Sequence, residues 1–178
     1  MIQKKICMVG AFGVGKPSLV DRFVKSIFSD KYFTSVGVKI EKKQLVVDDE
    51  QVTLMLWDLA GKDSVNQVKA EQLRGASGYI LVVDGTRGDT LKTAVDLQHL
   101  AEAATQSAPF TVVVNKSDLR ENWEVSQADL DGIAARGWSL LVSSAKTGEG
   151  VEDLFTDLAH RTLRNHHGGE QSAPAPAR

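Results

Sequence analysis

A chain of 178 residues has the length of one domain and can bury an ordinary core without disulfide or metal staples. Hydrophobic residues at 42% and charged residues at 25% exclude a disordered or fibrous chain. The 21 basic and 23 acidic residues leave a net charge of -2, so nothing in the balance points to nucleic acid or an anionic membrane. The single cysteine, Cys7, lies in an apolar run and reads as a buried thiol. No apolar stretch is long enough to span a bilayer, and the N-terminal MIQKKICMVG lacks the apolar region and cleavage site of a signal peptide. A cytoplasmic location is the expectation.

In chain order, β-branched runs alternate with longer amphipathic segments, the pattern of an α/β domain with a mostly parallel sheet. The runs are Lys5 to Val9, Leu45 to Val47, Val52 to Trp57, Tyr79 to Val83, Phe110 to Val114 and Leu140 to Ser143. The polar Asp48-Asp-Glu-Gln51 between the second and third runs is too short for a crossover, so those two strands form an antiparallel hairpin. After Gly15-Lys16, the residues Leu19, Val20, Phe23, Val24 and Ile27 recur at helical spacing. Ser126 and Asp129 stand in a capping-box relation ahead of Leu130, Ile133 and Ala134, with Gly137 as a stop. Val151, Leu154, Phe155, Leu158, Ala159, Thr162 and Leu163 give the last helix one apolar face. From Asn165 the chain turns polar and small, so residues 1–165 are expected to be the domain and 166–178 a disordered tail. His166 and His167 lack a third ligand and read as a frayed helix end.

The strongest local signal is Gly10-Ala-Phe-Gly-Val-Gly-Lys16, a glycine-rich loop between a strand and a helix. Glycines allow successive N–H groups to aim at phosphate oxygens, the helix N-terminus adds partial positive charge, and Lys16 would reach the β- and γ-phosphates. Trp57-Asp-Leu-Ala-Gly61 places Asp58 at the carboxyl end of a strand, where α/β sheets bind ligands. A carboxylate there can hold Mg²⁺ through a water, and the Gly61 N–H can meet a γ-phosphate. Asn115-Lys-Ser-Asp118 follows the fifth strand; a carboxylate at Asp118 suits the adjacent donors N1 and N2 of guanine and repels the N1 acceptor of adenine. Ser143-Ser-Ala-Lys146 closes the last strand, and its small residues let a backbone amide approach the base.

With these four segments in this order, residues 4 to 164 resemble the Ras-like small GTPases, closest to the Rab-like branch. Tyr32-Phe-Thr-Ser-Val-Gly-Val-Lys39 looks like the first switch, and Arg74-Gly-Ala-Ser-Gly78 like the approach to the fourth strand. The resemblance implies a P-loop NTPase fold: a six-stranded sheet with one antiparallel strand, surrounded by about five helices. It implies GTP and GDP as ligands, Mg²⁺ as cofactor, and an exchange factor, a GTPase-activating protein and effectors that meet two switch segments ordered by the γ-phosphate. Carried over residue by residue, it assigns nucleotide binding to Gly13, Val14, Gly15, Lys16, Pro17, Ser18, Phe28 (against the guanine), Ser35, Gly61, Asn115, Lys116, Asp118, Leu119, Ser144, Ala145 and Lys146. Catalysis would fall to Lys16, Gly61 and Lys62, and Mg²⁺ to Ser35 and Asp58.

Two departures touch the chemistry itself. The family has Ser or Thr after the loop lysine as a direct Mg²⁺ ligand; here Pro17 supplies neither hydroxyl nor N–H, and it biases Lys16 away from helical backbone angles. Ser18 is a poor replacement, since one residue along a helix turns the side chain by about 100°. Lys62 stands where the family has a glutamine that orients the attacking water, and an ammonium accepts no hydrogen bond. It reads either as a stabilising charge or as a solvated surface lysine. Ser35 replaces the first-switch threonine and keeps a hydroxyl. No cysteine follows Cys7, so no lipid anchor is expected. Two functional readings follow: a slow GTPase switch, or a degenerate guanine-nucleotide module that acts through partners. An ATP-using kinase is disfavoured by Asp118.

Overall fold

The computed structural model describes residues 2–26, 38–59 and 68–170. Its six strands are β1 (Ile2–Val9), β2 (Val38–Val47), β3 (Glu50–Leu59), β4 (Gly78–Asp84), β5 (Phe110–Asn115) and β6 (Ser139–Val142). The helices among the described residues are α1 (Lys16–Lys25), α2 (Ala70–Leu73), α3 (Asp89–Thr105), α4 (Gln127–Ala135) and α5 (Val151–Glu170), with a 3-10 segment over Ser117–Asn122. The sheet order is β2-β3-β1-β4-β5-β6, and only β2 runs antiparallel to its neighbour. The expected fold class is what the chain adopts.

Alternation along the central strands divides the core in two. Ile6, Met8, Ile80, Val82 and Val113 face α1 and α5, where Phe23 and Phe155 stack with ring centroids 4.2 Å apart. Cys7, Val9, Tyr79, Leu81, Val83, Val112 and Val114 face the other way, against Leu73, Leu97, Leu130 and Ile133 from α2, α3 and α4. A one-residue slip in any central strand would exchange these two sets, so register and core specify each other. The Cys7 thiol is fully buried as expected, and burial pushes its pKa up to about 11. No described helix is long and apolar enough to cross a membrane.

Several boundaries differ from the sequence reading. The hairpin turn is two residues, Asp48 and Asp49, both with positive φ (50° and 64°), rather than the four polar residues expected. Aspartate tolerates the left-handed region better than most side chains, and two such residues match the twist of the flanking strands. Strand β2 begins at Val38, well before Leu45, because the β3 ladder and not a hydrophobic pattern fixes its charged first half. Strand β6 ends at Val142, one residue before Ser143. Helix α1 stops at Lys25, where Ser26 turns left-handed (φ 54°) and its N–H bonds the Arg22 carbonyl; Ile27 lies outside the described residues. Helix α5 carries helical backbone to Glu170, past the Asn165 boundary read from composition, while residues 171–178 lie outside the description.

The capping box before α4 forms as the sequence indicates: the Asp129 N–H donates to Ser126 Oγ, and the Ser126 N–H donates to Asp129 Oδ2 at 2.8 Å. Replacing Ser126 with alanine leaves the Asp129 amide without its side-chain partner. Stability should fall by about 1 kcal/mol, as for other N-cap deletions. For a domain of this size that is a drop of roughly 2–4 °C in Tm. Thermal unfolding of Ser126→Ala beside the unaltered chain checks this, and an unchanged midpoint would mean the Asp129 half of the box suffices.

Candidate nucleotide-binding site

The carboxyl ends of β1, β3, β4, β5 and β6 open on one edge of the sheet, and the chemistry-bearing segments gather there. Strand β1 leads into Gly10 and the glycine loop, which returns into α1 at Lys16. Gly15 caps that helix with φ 104°, a left-handed angle, and a Cβ there would collide with the Asn115 amide nitrogen. Glycine is therefore required twice over at this position. Val14 beside it is fully buried, and Gly13 also turns left-handed (φ 74°).

Lys16 is 3% exposed and donates from Nζ to the carbonyls of Gly10 (2.9 Å) and Ala11 (3.0 Å). Burial lowers its pKa to about 8; the Asp58 carboxylate opposes that shift and the Arg87 guanidinium adds to it. Lys16 is also the first residue of α1, so the bias that Pro17 puts against helical angles at its neighbour is overcome. The Leu19 N–H to Gly15 carbonyl bond (2.9 Å) and the two ammonium contacts hold it there. Pro17 fits the first turn, where its missing N–H breaks no intrahelical bond, and Ser18 follows it half-buried.

Asp58, one residue before the end of β3, has 3% exposure, and its Oδ1 has no hydrogen-bond partner among the described residues. Burial raises its pKa, while the nearby charge of Lys16 pulls it back. An open, buried carboxylate oxygen fits a hydrated divalent cation. Pro17, by contrast, offers no hydroxyl to such an ion, and no group of three or more acidic, histidine or cysteine side chains gathers among the described residues. Of the remaining expected residues, Phe28, Ser35, Gly61 and Lys62 lie outside the described residues.

The opposite end of the site is built around Asn115, 2% exposed at the end of β5. Its Nδ2 donates to the Val14 carbonyl (3.0 Å), and its Oδ1 accepts from the Ala145 N–H and Ser143 Oγ (both 3.2 Å). One amide thus joins the glycine loop to the segment after β6. Lys116 takes φ 69° and places Nζ 2.6 Å from Asp84 Oδ2. Asp118 and Leu119 are exposed at the start of the 3-10 segment, and Asp118 Oδ1 accepts from Ser144 Oγ at 2.6 Å. Ser144 and Ala145 are buried, whereas Lys146 is exposed.

Three residues at this edge escaped the sequence reading. Asp84, 1% exposed at the end of β4, accepts from Lys116, from Arg87 Nε (3.1 Å), and from the N–H and hydroxyl of Thr86 (2.9 and 2.7 Å). Burial pushes its pKa up, but the Lys116 ammonium and Thr86 outweigh that and leave it below the usual carboxylate range. Its place at the carboxyl end of a strand, close to the position Asp58 takes on β3, was the available signal. Arg87 also reaches the Phe12 carbonyl (2.7 Å). Arg22 on α1 donates to the Ala145 carbonyl (2.8 Å) and to the Lys146 carbonyl. Nothing in the local sequence marks either arginine.

Known proteins place this site in a family. The family model described as Ras family matches residues 5–164. The Ras-related protein YPT3 of Nicotiana plumbaginifolia is 32% identical over 162 residues, covering 90% of this chain and 74% of that protein. The Ras-related protein Rab-1 of Theileria parva is 32% identical over 158 residues, covering 87% and 72%. The Ras-related protein Rab-30 of Homo sapiens is 33% identical over 161 residues, covering 89% and 79%. Members of this family bind GTP and hydrolyse it, generally with Mg²⁺. With the sheet order, the glycine loop and the Asn115 cradle on one edge, the chain belongs to the Ras family of small GTPases, and within it resembles the Rab branch.

Proposed function

We propose that this chain is a guanine-nucleotide switch whose own GTP hydrolysis is slow. The reading rests above all on Asn115, whose amide links the Val14 carbonyl of the glycine loop to the Ala145 amide. A ligand with phosphates at one end and a planar base at the other suits that span. In this reading Gly13, Val14, Gly15 and Lys16 bind phosphates, and Asp118 reads guanine N1 and N2. Ser144, Ala145 and Lys146 line the base with Lys116, Leu119 and Phe28. Asp58 and Ser35 would hold Mg²⁺, which when bound offsets the charge of the β- and γ-phosphates. Lys62 and Pro17 make turnover slow: the first cannot accept a hydrogen bond from water, and the second withholds a metal ligand. Effectors and regulators would meet the segments around Tyr32–Lys39 and Asp58–Lys62, with the protein working in the cytoplasm. The alternative, a nucleotide-holding module with negligible turnover, draws its support from Pro17.

Base choice tests the core of the proposal. Losing two hydrogen bonds to a carboxylate, at about 1.5–3 kcal/mol each, gives a GDP preference over ADP of roughly two to four orders of magnitude. Asp118→Asn should shift preference toward xanthine nucleotides, because its amide can donate to the oxygen at xanthine's second position. Competition binding reads both, and equal GDP and ADP affinity would overturn the guanine assignment.

The metal is tested by four chains: unaltered, Pro17→Thr, Lys62→Gln and the double variant. Pro17→Thr should tighten GTP more than GDP and make nucleotide retention more sensitive to EDTA. Lys62→Gln alone should raise single-turnover hydrolysis little, and the double change should exceed the product of the single effects. If the unaltered chain loses nucleotide to EDTA as fast as Pro17→Thr, another group has replaced the hydroxyl.

Lys16 makes binding depend on pH. Its pKa of about 8 lies below the unfolded value near 10.5. The ligand-free fold therefore gains stability as pH rises from about 8 to 10.5, because the unfolded chain binds that proton more tightly. Phosphate favours the protonated amine, so nucleotide affinity moves the other way. GDP affinity should fall by about tenfold between pH 7 and pH 9. Titrations of the unaltered chain and of Lys16→Met, which should bind weakly with little of this slope, check the assignment.

A further inference from the structure

We propose that Arg87 is a positioning residue for phosphate binding: aimed by Asp84, it holds the Phe12 carbonyl and thereby sets the direction of the Gly13 N–H. Arg87 donates from Nε to Asp84 Oδ2 at 3.1 Å and from a terminal nitrogen to the Phe12 carbonyl at 2.7 Å. Asp84 is itself immobilised. Its Oδ1 takes two bonds from Thr86, and its Oδ2 takes Lys116 at 2.6 Å besides Arg87. A planar guanidinium bridging a fixed carboxylate and a carbonyl has little freedom left.

The consequence falls on the next peptide. The described chain has no cis peptide bonds, so the Phe12 carbonyl and the Gly13 N–H lie in one peptide plane and point in opposite directions across the C–N bond. Drawing the carbonyl toward Arg87 turns the N–H away from Arg87. Without that hold, the left-handed Gly13 (φ 74°) is the residue with the freedom to let the peptide rotate, which would exchange an N–H donor for a carbonyl oxygen facing phosphate. Asp84 grips both Arg87 and Lys116, so the same carboxylate ties the phosphate loop to the strand end that carries Asn115-Lys-Ser-Asp118.

The inference rests on the guanine-nucleotide reading for its functional outcome, and its structural half can be measured without any ligand. The Arg87 side chain is 41% exposed, and Thr86 and Lys116 still satisfy the buried Asp84 without it, so Arg87→Ala should fold, with a Tm lowered by at most a few degrees. Losing one charge-assisted hydrogen bond should speed GDP release by about tenfold or more and leave the affinity for guanosine, which has no phosphates, within about twofold. Arg87→Lys keeps the charge but not the fork, so its GDP release should stay close to that of Arg87→Ala. In the ligand-free chain, amide exchange across residues 11–14 should be faster in both variants. GDP release within about twofold of the unaltered chain, equal losses for guanosine and GDP, or full rescue by lysine would each overturn the assignment. If the unaltered chain holds no GDP at all, the proposed function fails on its own, and unaltered amide exchange in the two variants would then overturn the role of Arg87.

Discussion

Asn115 sits at the end of a central strand with both ends of its amide committed: Nδ2 to Val14, Oδ1 to Ser143 and Ala145. Val14 and Ser143 are fully buried and Ala145 is 3% exposed, so losing the amide would leave their polar groups buried without that partner. The rest of the edge follows from this placement. Gly15 has room for no side chain because the Asn115 amide occupies the space, and α1 then starts where Gly15 turns left-handed. The loop after β6 approaches closely because its Ala145 amide has a partner waiting. The geometry of three separate segments depends on one side chain, which is how buried polar networks specify structure.

Charge is arranged around that frame at some cost to the fold. Lys16 and Asp58 are both nearly fully buried, and burial displaces each pKa toward its neutral form. Asp84 differs, since Lys116 and Thr86 outweigh its burial. The edge thus holds one carboxylate that is satisfied within the protein and another whose Oδ1 has no partner among the described residues. Lys16, turned onto the carbonyls of its own loop, has contacts that an incoming phosphate would have to better. Buried, incompletely satisfied charge is a feature of sites kept for binding, and at this edge of the sheet the glycine loop and the β3 end carry it.

The sequence was legible wherever chemistry and backbone requirements coincide. Gly13, Gly15 and Lys16 mark a loop whose angles only glycine adopts easily, and Ser126 with Asp129 marks a helix start through a bond both residues need. Central strands were readable because both faces are buried, so their hydrophobic runs are continuous. Strand β2 was readable only at its end: Val38–Gln44 lies at the sheet edge, and after the exposed Val38 and Ile40 its four consecutive polar residues, Glu41 to Gln44, give no period-two pattern to read. The end of α5 was missed because composition after Asn165, with Gly168 and Gly169, argues against helix that the backbone nonetheless continues. Arg87 and Arg22 were invisible for another reason. The carbonyls they hold at Phe12 and Ala145 are 75 and 123 residues away, and no local pattern encodes such pairings, although the Asp84 partner of Arg87 is only three residues off.

Arg22 gives helix α1 an unusual mechanical position. Its N-terminus carries the glycine loop, its last turn is pinned to α5 through Phe23 and Phe155, and Arg22 beside it grips the carbonyls of Ala145 and Lys146. The two ends of the site therefore share one rigid strut instead of belonging to two loops that move apart. For a ligand that reaches both, engaging one end presents the other at high effective concentration, with little extra ordering left to pay for. A strut of this kind ties the two halves in release as well: tilting α1 to loosen one end strains the other, so a partner that pries at either end gains leverage over both.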